Sequence, residues 1–385
     1  MTILSAHGRL SVGQGGDLRH PIIVSGLETR QDAGTFATVS PQVSFEPIGV
    51  EIDCDEDENV LEAAFRQGWN LVHGCREGQC TACKSFLLEG DVSLQPYSTH
   101  ALSETEESQG YTLLCRAMPD SDLVVELLHF DPDNLRLSHP IGDGTARVAA
   151  IDELTRDIVR LTLEVQSPAE FSFTPGQYVD LWVPGTDGEA RRSFSMANIP
   201  ETGPRPPRLE LIIRRYEGGR FSSLLDGGLS AGDELGFTGP YGTMHLRAGD
   251  GPVLLVAGGS GIGPVLSVLR ELASTTSARP IRFFYGARSE ADLPLLEEIA
   301  VIGESLPDFA FVPVLSEQAW DGATGFVHEA AAGAVAAGDL AKPFVCACGP
   351  PPMIEALVEV LTNRHDVPDN DIVFDKFTTA AAAAD

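Results

Sequence analysis

Basic residues are scarce in this 385-residue chain: 26 Lys and Arg stand against 56 Asp and Glu, a formal net charge of −30. Phosphate backbones are gripped by clustered cations that displace counterions, so nucleic acid is excluded as a partner, and so is an anionic membrane surface. Nowhere does an apolar run approach the roughly 20 residues needed to span a bilayer. The N-terminus, MTILSAHGRLSVGQGG, lacks a basic stretch followed by an apolar one, so no export signal is read there and the cytoplasm is the expected compartment. Aromatic residues are few, at 7%, yet 43% of the chain is hydrophobic, enough for ordinary cores in two to four domains. The nine His are scattered without ligand spacing, and no hydrolytic triad stands out. The seven Cys are an odd number with four tightly spaced members. That pattern suits metal ligation in a reducing compartment better than a disulfide scaffold.

What is present falls into segments. Residues 1–42 mix Gly, Ser, Thr and Gln without sustained periodicity and read as a flexible extension. From 43 to 130, a β-like run starts near Val43 and continues through Val50–Ile52. An apolar helical pattern follows from Val60 to Gln67 behind the acidic run Asp55–Glu58, and a strand spans Leu123–Leu127. Residues 131–144 have linker composition. Short strands between Gly and Pro turns fill 145–248, the clearest at Ile158–Val165, Gln177–Val183 and Leu209–Arg214, which predicts a small β-barrel or sandwich. From 249 to 377, buried-strand candidates at Pro252–Ala257, Ile281–Tyr285, Phe309–Leu315 and Phe344–Cys348 alternate with helices, predicting a parallel α/β domain. Residues 378–385 read as a frayed tail. The fold class expected is therefore multidomain, α+β and α/β.

Cys75 and Cys80 are four residues apart, Cys80 and Cys83 two apart, and Cys115 follows after 31 more. This is the plant-type [2Fe–2S] spacing, in which one loop presents three thiolates and a separate segment brings the fourth. Gly74 and Gly78 let the loop backbone approach the inorganic sulfurs. A zinc site would favour paired C-x₂-C units, and only one such pair exists. Cys54, outside the pattern, reads as a small buried hydrophobe.

Arg191-Arg192-Ser193-Phe194-Ser195 follows a strand, and Gly218-Gly219-Arg220-Phe221-Ser222-Ser223 opens a helix. Free N–H groups and the dipole at a helix start favour a phosphate, and Arg192 would add a bidentate charge. Taken singly, such features occur on many β-domains. Further on, Ala257-Gly258-Gly259-Ser260-Gly261-Ile262-Gly263-Pro264 lies between a buried strand and a helix, with Pro264 placed to suit the first helical position. Its glycines do not follow the dinucleotide G-x-G-x-x-G fingerprint, and alone it reads equally well as a structural turn.

Together these motifs resemble the ferredoxin–NADP reductase superfamily. Its Arg-x-Tyr-Ser motif matches Arg192–Ser195 with Phe194 for Tyr, and its Gly-Gly-x-x-Ser loop matches Gly218–Ser222. Phe173–Tyr178 and Gly239–Gly242 look like its strand and turn motifs. Ala257–Pro264 and Cys348-Gly349-Pro350-Pro351 look like its nucleotide motifs. The resemblance implies a β-grasp [2Fe–2S] ferredoxin domain at 43–130, an antiparallel β-barrel FAD-binding domain at 145–248 and a parallel α/β NAD-binding domain at 249–377. It implies cluster ligation by Cys75, Cys80, Cys83 and Cys115. For FAD, it implies Arg192 on the pyrophosphate, Phe194 along the flavin, Ser195 near the flavin N5, and Ser193, Gly218, Gly219, Ser222 and Ser223 around them. For the nucleotide, it implies Gly259, Ser260, Gly261, Gly263 and Pro264 on the nicotinamide-side phosphates, Tyr285 and Arg288 on the adenosine half, Cys348 beside the nicotinamide, and Gly349 and Pro350 as further cofactor-binding residues. Phe377, with Phe374 as runner-up, matches the aromatic laid over the flavin ring; core packing is the alternative for either. Beyond Arg288 the chain is acidic, with Glu290 and Asp292, which favours NADH over NADPH. Cys346 reads as structural.

The order ferredoxin, flavin, nicotinamide is that of reductase components of bacterial multicomponent oxygenases. The resemblance, over residues 43–377, is closest to those of soluble di-iron monooxygenases acting on methane, propane or phenol. It implies transfer of electrons from NADH through FAD and the [2Fe–2S] cluster to a di-iron hydroxylase that oxidises a hydrocarbon, with a small coupling protein as a further partner. Leu114–Ala117, Asp122–Leu127 and His129–Pro132 look most like the alkane-oxidising members. A Rieske ring-hydroxylating dioxygenase is the alternative partner, and a non-catalytic redox-sensing module the alternative of another class. Residues 43–130 hold 17 acidic and 4 basic residues, about two-fifths of the charge excess. Either a solvated face or steering toward a basic patch on the oxygenase accounts for it.

Overall fold

The computed structural model describes residues 40–182, 191–201 and 203–377. The extension and the tail expected from the sequence lie outside the described residues, apart from 40–42. No helix among the described residues is long and apolar enough to cross a membrane.

The first domain packs helix α1 (Val60–Arg66) on a mixed sheet. In chain order its elements are β1 (Gln42–Glu46), β2 (Val50–Asp53), α1, β3 (Lys84–Glu89), β4 (Val92–Leu94), α2 (Glu104–Ser108), β5 (Tyr111–Leu113), β6 (Ala117–Pro119) and β7 (Leu123–Leu127). The sheet order is β2-β1-β7-β3-β5, with β1 parallel to β7 and every other pair antiparallel. The continuous run expected from Val43 through Ile52 is in fact a hairpin. Gly49 at φ +62° turns it and donates to Phe45 O at 2.9 Å, so Val43, Phe45, Val50 and Ile52 all face the helix. Nor does the acidic run Asp55–Glu58 cap α1. Asn59 does, in a capping box with Glu62, while Glu58 pairs with Arg66 at 2.5 Å. The short Asn59 side chain, at the N-cap position itself, accepts from the Glu62 amide at 3.0 Å, whereas Glu58, one residue earlier, is drawn off to Arg66.

The second domain is a six-stranded antiparallel sheet in the order β11-β10-β13-β8-β9-β12. Its elements are β8 (Gly142–Glu153), β9 (Ile158–Ser167), β10 (Tyr178–Trp182), β11 (Arg192–Ser195), β12 (Arg208–Arg214), α3 (Arg220–Gly227) and β13 (Glu234–Tyr241). A bridge between Met196 and Leu211 draws the two edges together, so the sheet curls into a nearly closed barrel filled by Val148, Leu161, Val179, Leu211 and Phe237. Strand β8 begins at Gly142, inside the stretch read as linker.

The third domain comprises β14 (Val253–Gly258), α4 (Ile262–Ser274), β15 (Ile281–Ala287), α5 (Leu296–Glu304), β16 (Phe309–Leu315), β17 (Ala323–Thr324), α6 (Val327–Ala336), β18 (Phe344–Gly349), α7 (Pro351–His365) and β19 (Ile372–Lys376). All six strands are parallel, ordered β17-β16-β15-β14-β18-β19. β14 and β18 are wholly buried, which is why they read as unbroken apolar runs. Strand β16 is mostly half-buried despite its composition, because only the two-residue β17 covers its outer edge.

Gly176 enters β10 at φ +101°, and a Cβ there would run into the Met244 carbonyl oxygen. Gly176→Ala should therefore destabilise the barrel by about 2 kcal/mol or more, read as a lowered midpoint in thermal or chemical unfolding; an unchanged midpoint would refute the close approach.

Candidate functional site

The four spaced cysteines meet. Three lie on the loop between α1 and β3, and Cys115 lies in the turn between β5 and β6. Arg76, Gly78 and Thr81 all adopt positive φ, at +57°, +70° and +65°, which curls the loop and turns its amides inward. The amides of Gln79 and Glu77 point at Cys75 Sγ, at 3.2 and 3.4 Å, and the Cys75 amide points at Cys80 Sγ at 3.2 Å. A Cβ on Gly74 would sit 3.0 Å from Cys80 Sγ, and one on Gly78 would sit 2.7 Å from Tyr97 Cβ, so the curl has room for glycine alone. Its hydrogen bond with Cys80, then these amides, holds the Cys75 thiol below its ordinary range against the cost of burial.

The thiols stand as two pairs. Cys75 is joined to Cys80 through the Cys75 amide, and Cys83 Sγ lies 3.3 Å from Cys115 Sγ. No three His, Cys, Asp or Glu among the described residues surround a single-ion position. Two pairs of sulfurs ringed by N–H donors fit a binuclear iron–sulfur cluster, two thiolates to each iron, and do not fit one zinc ion.

A cavity of about 540 Å³ opens beside this loop. Strand β11 forms one wall. It pairs with β10 in the register Tyr178↔Ser195 and Asp180↔Ser193, and Arg192, Ser193, Phe194 and Ser195 all line the cavity. Phe194 packs on Phe221 with ring centroids 4.6 Å apart. The Arg192 guanidinium donates to the Arg191 carbonyl and has no carboxylate partner among the described residues. Helix α3 starts at this wall with Gly219 as its N-cap and no side-chain cap, so its first amides stay available for an anion. Gly218, at φ +69°, Gly219 and Ser222 line the cavity. Ser222 Oγ accepts from the Tyr216 amide at 2.8 Å, whereas Ser223 turns back to the Gly219 carbonyl and is not part of the wall. Phe374 and Phe377 supply another wall, with the Phe377 amide donating to Gly349 O at 2.9 Å. Cys75 and Cys80 line the same space. A largely apolar cavity with an uncapped helix start and Arg192 on its wall fits a flavin dinucleotide.

The glycine loop follows β14, and Gly349-Pro350 follows β18. These adjacent strands flank the point where the parallel sheet reverses its order, and nucleotides bind in that crevice of such sheets. The loop is a 3₁₀ turn over Gly259–Gly261, and α4 already begins at Ile262, so Pro264 is its third residue, not its first. All first-turn amides lack a helical acceptor, so a proline is tolerated there as well. A Cβ on Gly261 would strike the Cys348 carbonyl, and Gly263 lies against Ile212 of β12. Ser260 reaches the cavity wall.

Three expected contacts take another form. Tyr285 is buried and its hydroxyl donates to Gly259 O at 3.1 Å, so it braces the glycine turn instead of facing an adenosine. Cys348 is fully buried, does not line the cavity, and burial pushes its thiol up. Arg288 is held by Asp292 at 3.0 Å and by Asp157 at 3.7 Å. Cys54 and Cys346 are buried, each thiol pushed up to about 12 chiefly by desolvation.

The seam between the first two domains was not foreseen. His73 is buried, with Nδ1 2.7 Å from Leu71 O and Nε2 accepting the Gly242 amide at 2.8 Å, which fixes a neutral ring; burial pushes it down to about 4. The Tyr178 hydroxyl donates to Gly74 O, and Arg76 pairs with Asp180. Asp375 also escaped notice: its buried carboxyl lines the cavity, Oδ2 has no partner among the described residues, and desolvation pushes it up to about 7. Tyr178 and Tyr241 lay within motifs that carried no role, and Asp375 lay between two noted aromatics, so position was legible and contact was not.

Family models match in three places: a 2Fe-2S iron–sulfur cluster binding domain over residues 43–120, an oxidoreductase FAD-binding domain over 145–246 and an oxidoreductase NAD-binding domain over 255–359. The chain is 48% identical over 347 residues to the reductase component of propane 2-monooxygenase from Gordonia sp. (strain TY-5), covering 88% of this chain and 98% of that protein. It is 36% identical over 352 residues to the phenol 2-monooxygenase reductase component from Pseudomonas sp. (strain CF600), covering 90% and 97%. Among solved structures, an Amycolatopsis cytochrome P450 reductase is similar at a TM-score of 0.75 and 34% identity, covering 89% of this chain and all of that one.

Cys80→Ser should lose iron and the visible cluster absorbance while keeping bound FAD, checked by metal analysis and the spectrum of the purified protein. Retention of a full complement of iron would remove Cys80 from the ligand set.

Proposed function

Because the chain belongs to the reductase components of multicomponent monooxygenases, within the ferredoxin–NADP reductase superfamily, we propose that the residues gathered around this one cavity carry electrons from NADH to an oxygenase. Transfer through FAD and a [2Fe–2S] cluster is the activity of the family. When bound, FAD would supply uptake of the two electrons of a hydride and their release one at a time, which is what a one-electron iron–sulfur centre requires.

The protein's part is to bind and orient. Residues 43–130 form the ferredoxin domain, 142–248 the FAD domain, since β8 starts at Gly142, and 249–377 the NAD domain. Arg192, Gly218, Gly219 and Ser222 hold the FAD pyrophosphate, Ser193 and Phe194 flank the flavin, and Ser195 faces its reactive edge. Gly259, Ser260, Gly261, Gly263 and Pro264 take the nicotinamide-side phosphates at the start of α4, and Gly349 and Pro350 bind the nucleotide from the end of β18. Phe377 covers the ring until nicotinamide displaces it. Cys75 with Cys80 holds one iron and Cys83 with Cys115 the other. Arg288 is already neutralised by Asp292 and Asp157, so the cation that a 2′-phosphate would seek is engaged, and NADH is favoured. The observation that carries this reading is the single cavity lined by Cys75, Cys80, Ser195 and Phe377.

The acceptor in this reading is a di-iron hydroxylase acting on a hydrocarbon, served by a small coupling protein; the propane and phenol monooxygenase relatives support a monooxygenase as the acceptor. The ferredoxin domain steers itself there by charge. Of its four basic residues, Arg66, Arg76 and Lys84 are each tied to carboxylates, which leaves its acidic excess uncompensated. All seven cysteines are free, in keeping with a reducing cytoplasm.

Anaerobic titration of the purified protein with NADH should bleach first the flavin and then the cluster absorbance, and delivery to the hydroxylase should slow with added salt. If NADH bleached neither centre, the reading would fall. Phe377→Ala should shift the kcat/KM preference toward NADPH, since nicotinamide then meets less resistance over the ring; an unchanged ratio would transfer the covering role to Phe374.

A further inference from the structure

Arg76 follows a cluster-ligand position, yet nothing in its own domain holds its guanidinium. Nε donates to the Tyr178 hydroxyl at 3.0 Å and Nη2 to the Asp180 carboxylate, and the group lies 3.4 Å above the centroid of the Tyr241 ring. All three partners belong to the FAD domain. The side chain is 16% exposed and that of Asp180 6%, so the pair crosses the seam in a largely dry setting. Tyr178 and Asp180 stand two apart on β10 and therefore project to one face. The other oxygen of Asp180 accepts the Ser193 hydroxyl at 2.6 Å, and Ser193 lies between Arg192 and Phe194 in the cavity wall. A continuous chain of contacts thus runs Cys75, Arg76, Asp180, Ser193 from thiol loop to flavin wall. A buried ion pair is a poor source of net stability and a good fixer of geometry, since either partner left alone is strongly penalised.

We propose that Arg76 is a positioning residue for the internal electron transfer: by clamping Asp180 and Tyr241 it holds the Cys75–Cys80 edge of the cluster loop against the flavin cavity. The step it serves moves one electron, oxidising the reduced flavin by one electron and taking one cluster iron from ferric to ferrous, with no bond in the protein made or broken. Transfer slows steeply as the gap widens, so a small loosening is felt as a rate. The inference rests on the flavin-to-cluster route above.

The test uses the holoenzyme in anaerobic stopped flow, following flavin reduction by NADH and then cluster reduction by visible absorbance and freeze-quenched electron paramagnetic resonance. Arg76→Ala should slow the second phase about tenfold or more and leave the first within twofold, and Arg76→Lys should recover part of the loss. Deuterium exchange of the cofactor-free protein supplies an independent readout: the Gly242 amide, bonded to His73 across the seam, should exchange faster in Arg76→Ala. If Arg76→Ala loads no cluster, Asp180→Asn, which leaves the thiol loop intact, decides the matter by the same second phase. A second phase within twofold of wild type, an equal fall in both phases, or unchanged Gly242 exchange would overturn the role of Arg76. If the wild-type cluster itself failed to follow its flavin, the proposed route would fall, and that outcome is distinct from the others.

Discussion

Everything in this molecule hangs on a seam: the thiol loop at residues 73–81 must curl around its cluster and at the same time lie flat on the FAD domain. The two demands compete for the same backbone. Amides turned inward to the sulfurs are not free to bond outward, so the outward contacts fall to Gly74 O, the His73 ring and the Arg76 side chain. A neutral His73 is the hinge pin of this arrangement, since a ring that must accept from the Gly242 amide has no place for a second proton there. Behind the polar contacts, Phe65, Tyr178 and Tyr241 pack together, so the core of the ferredoxin domain runs on into the barrel.

The other boundary is built differently. Between barrel and α/β domain the core is again continuous, with Ile158, Ala197, Ile212 and Met244 of one packed on Val265 and Leu266 of the other. It is also pinned by helix α4: Ser267 donates to Asn198 O at 2.5 Å, and Arg270 donates to Ala197 O at 2.9 Å while pairing with Glu210 and Glu298. The helix that follows the glycine loop is thus the helix that grips the flavin barrel. Two redox sites separated by such a boundary keep a fixed geometry, whereas the ferredoxin seam relies on a few polar contacts around a smaller apolar patch.

How much of this could be read from residue order follows from the range of each interaction. Cys75, Cys80 and Cys83 announce themselves because their spacing is the geometry of one loop, and β14 and β18 because strands buried on both faces show no alternation. The resemblance alone puts Tyr285 at the adenosine, whereas its side chain lies within β15 and its hydroxyl has a partner 26 residues earlier in the chain. The helix start at Ile262 was displaced by two residues because Pro264 is compatible with several first-turn positions. Arg76 and Asp180 were silent because they are 104 residues apart, and each looks like an ordinary surface charge until the domains are brought together.

Strand β19 carries a last consequence. The cavity wall draws on residues from Gly74 to Phe377, and Phe374, Asp375 and Phe377 join it only when β19 has added to the far edge of the sheet beside β18. A nascent chain on the ribosome can complete the ferredoxin fold and curl the barrel long before that strand has been synthesised. Until that strand docks the cavity lacks one wall, so the shape of the space beside Arg192–Ser195 is completed by the last described residues of the chain.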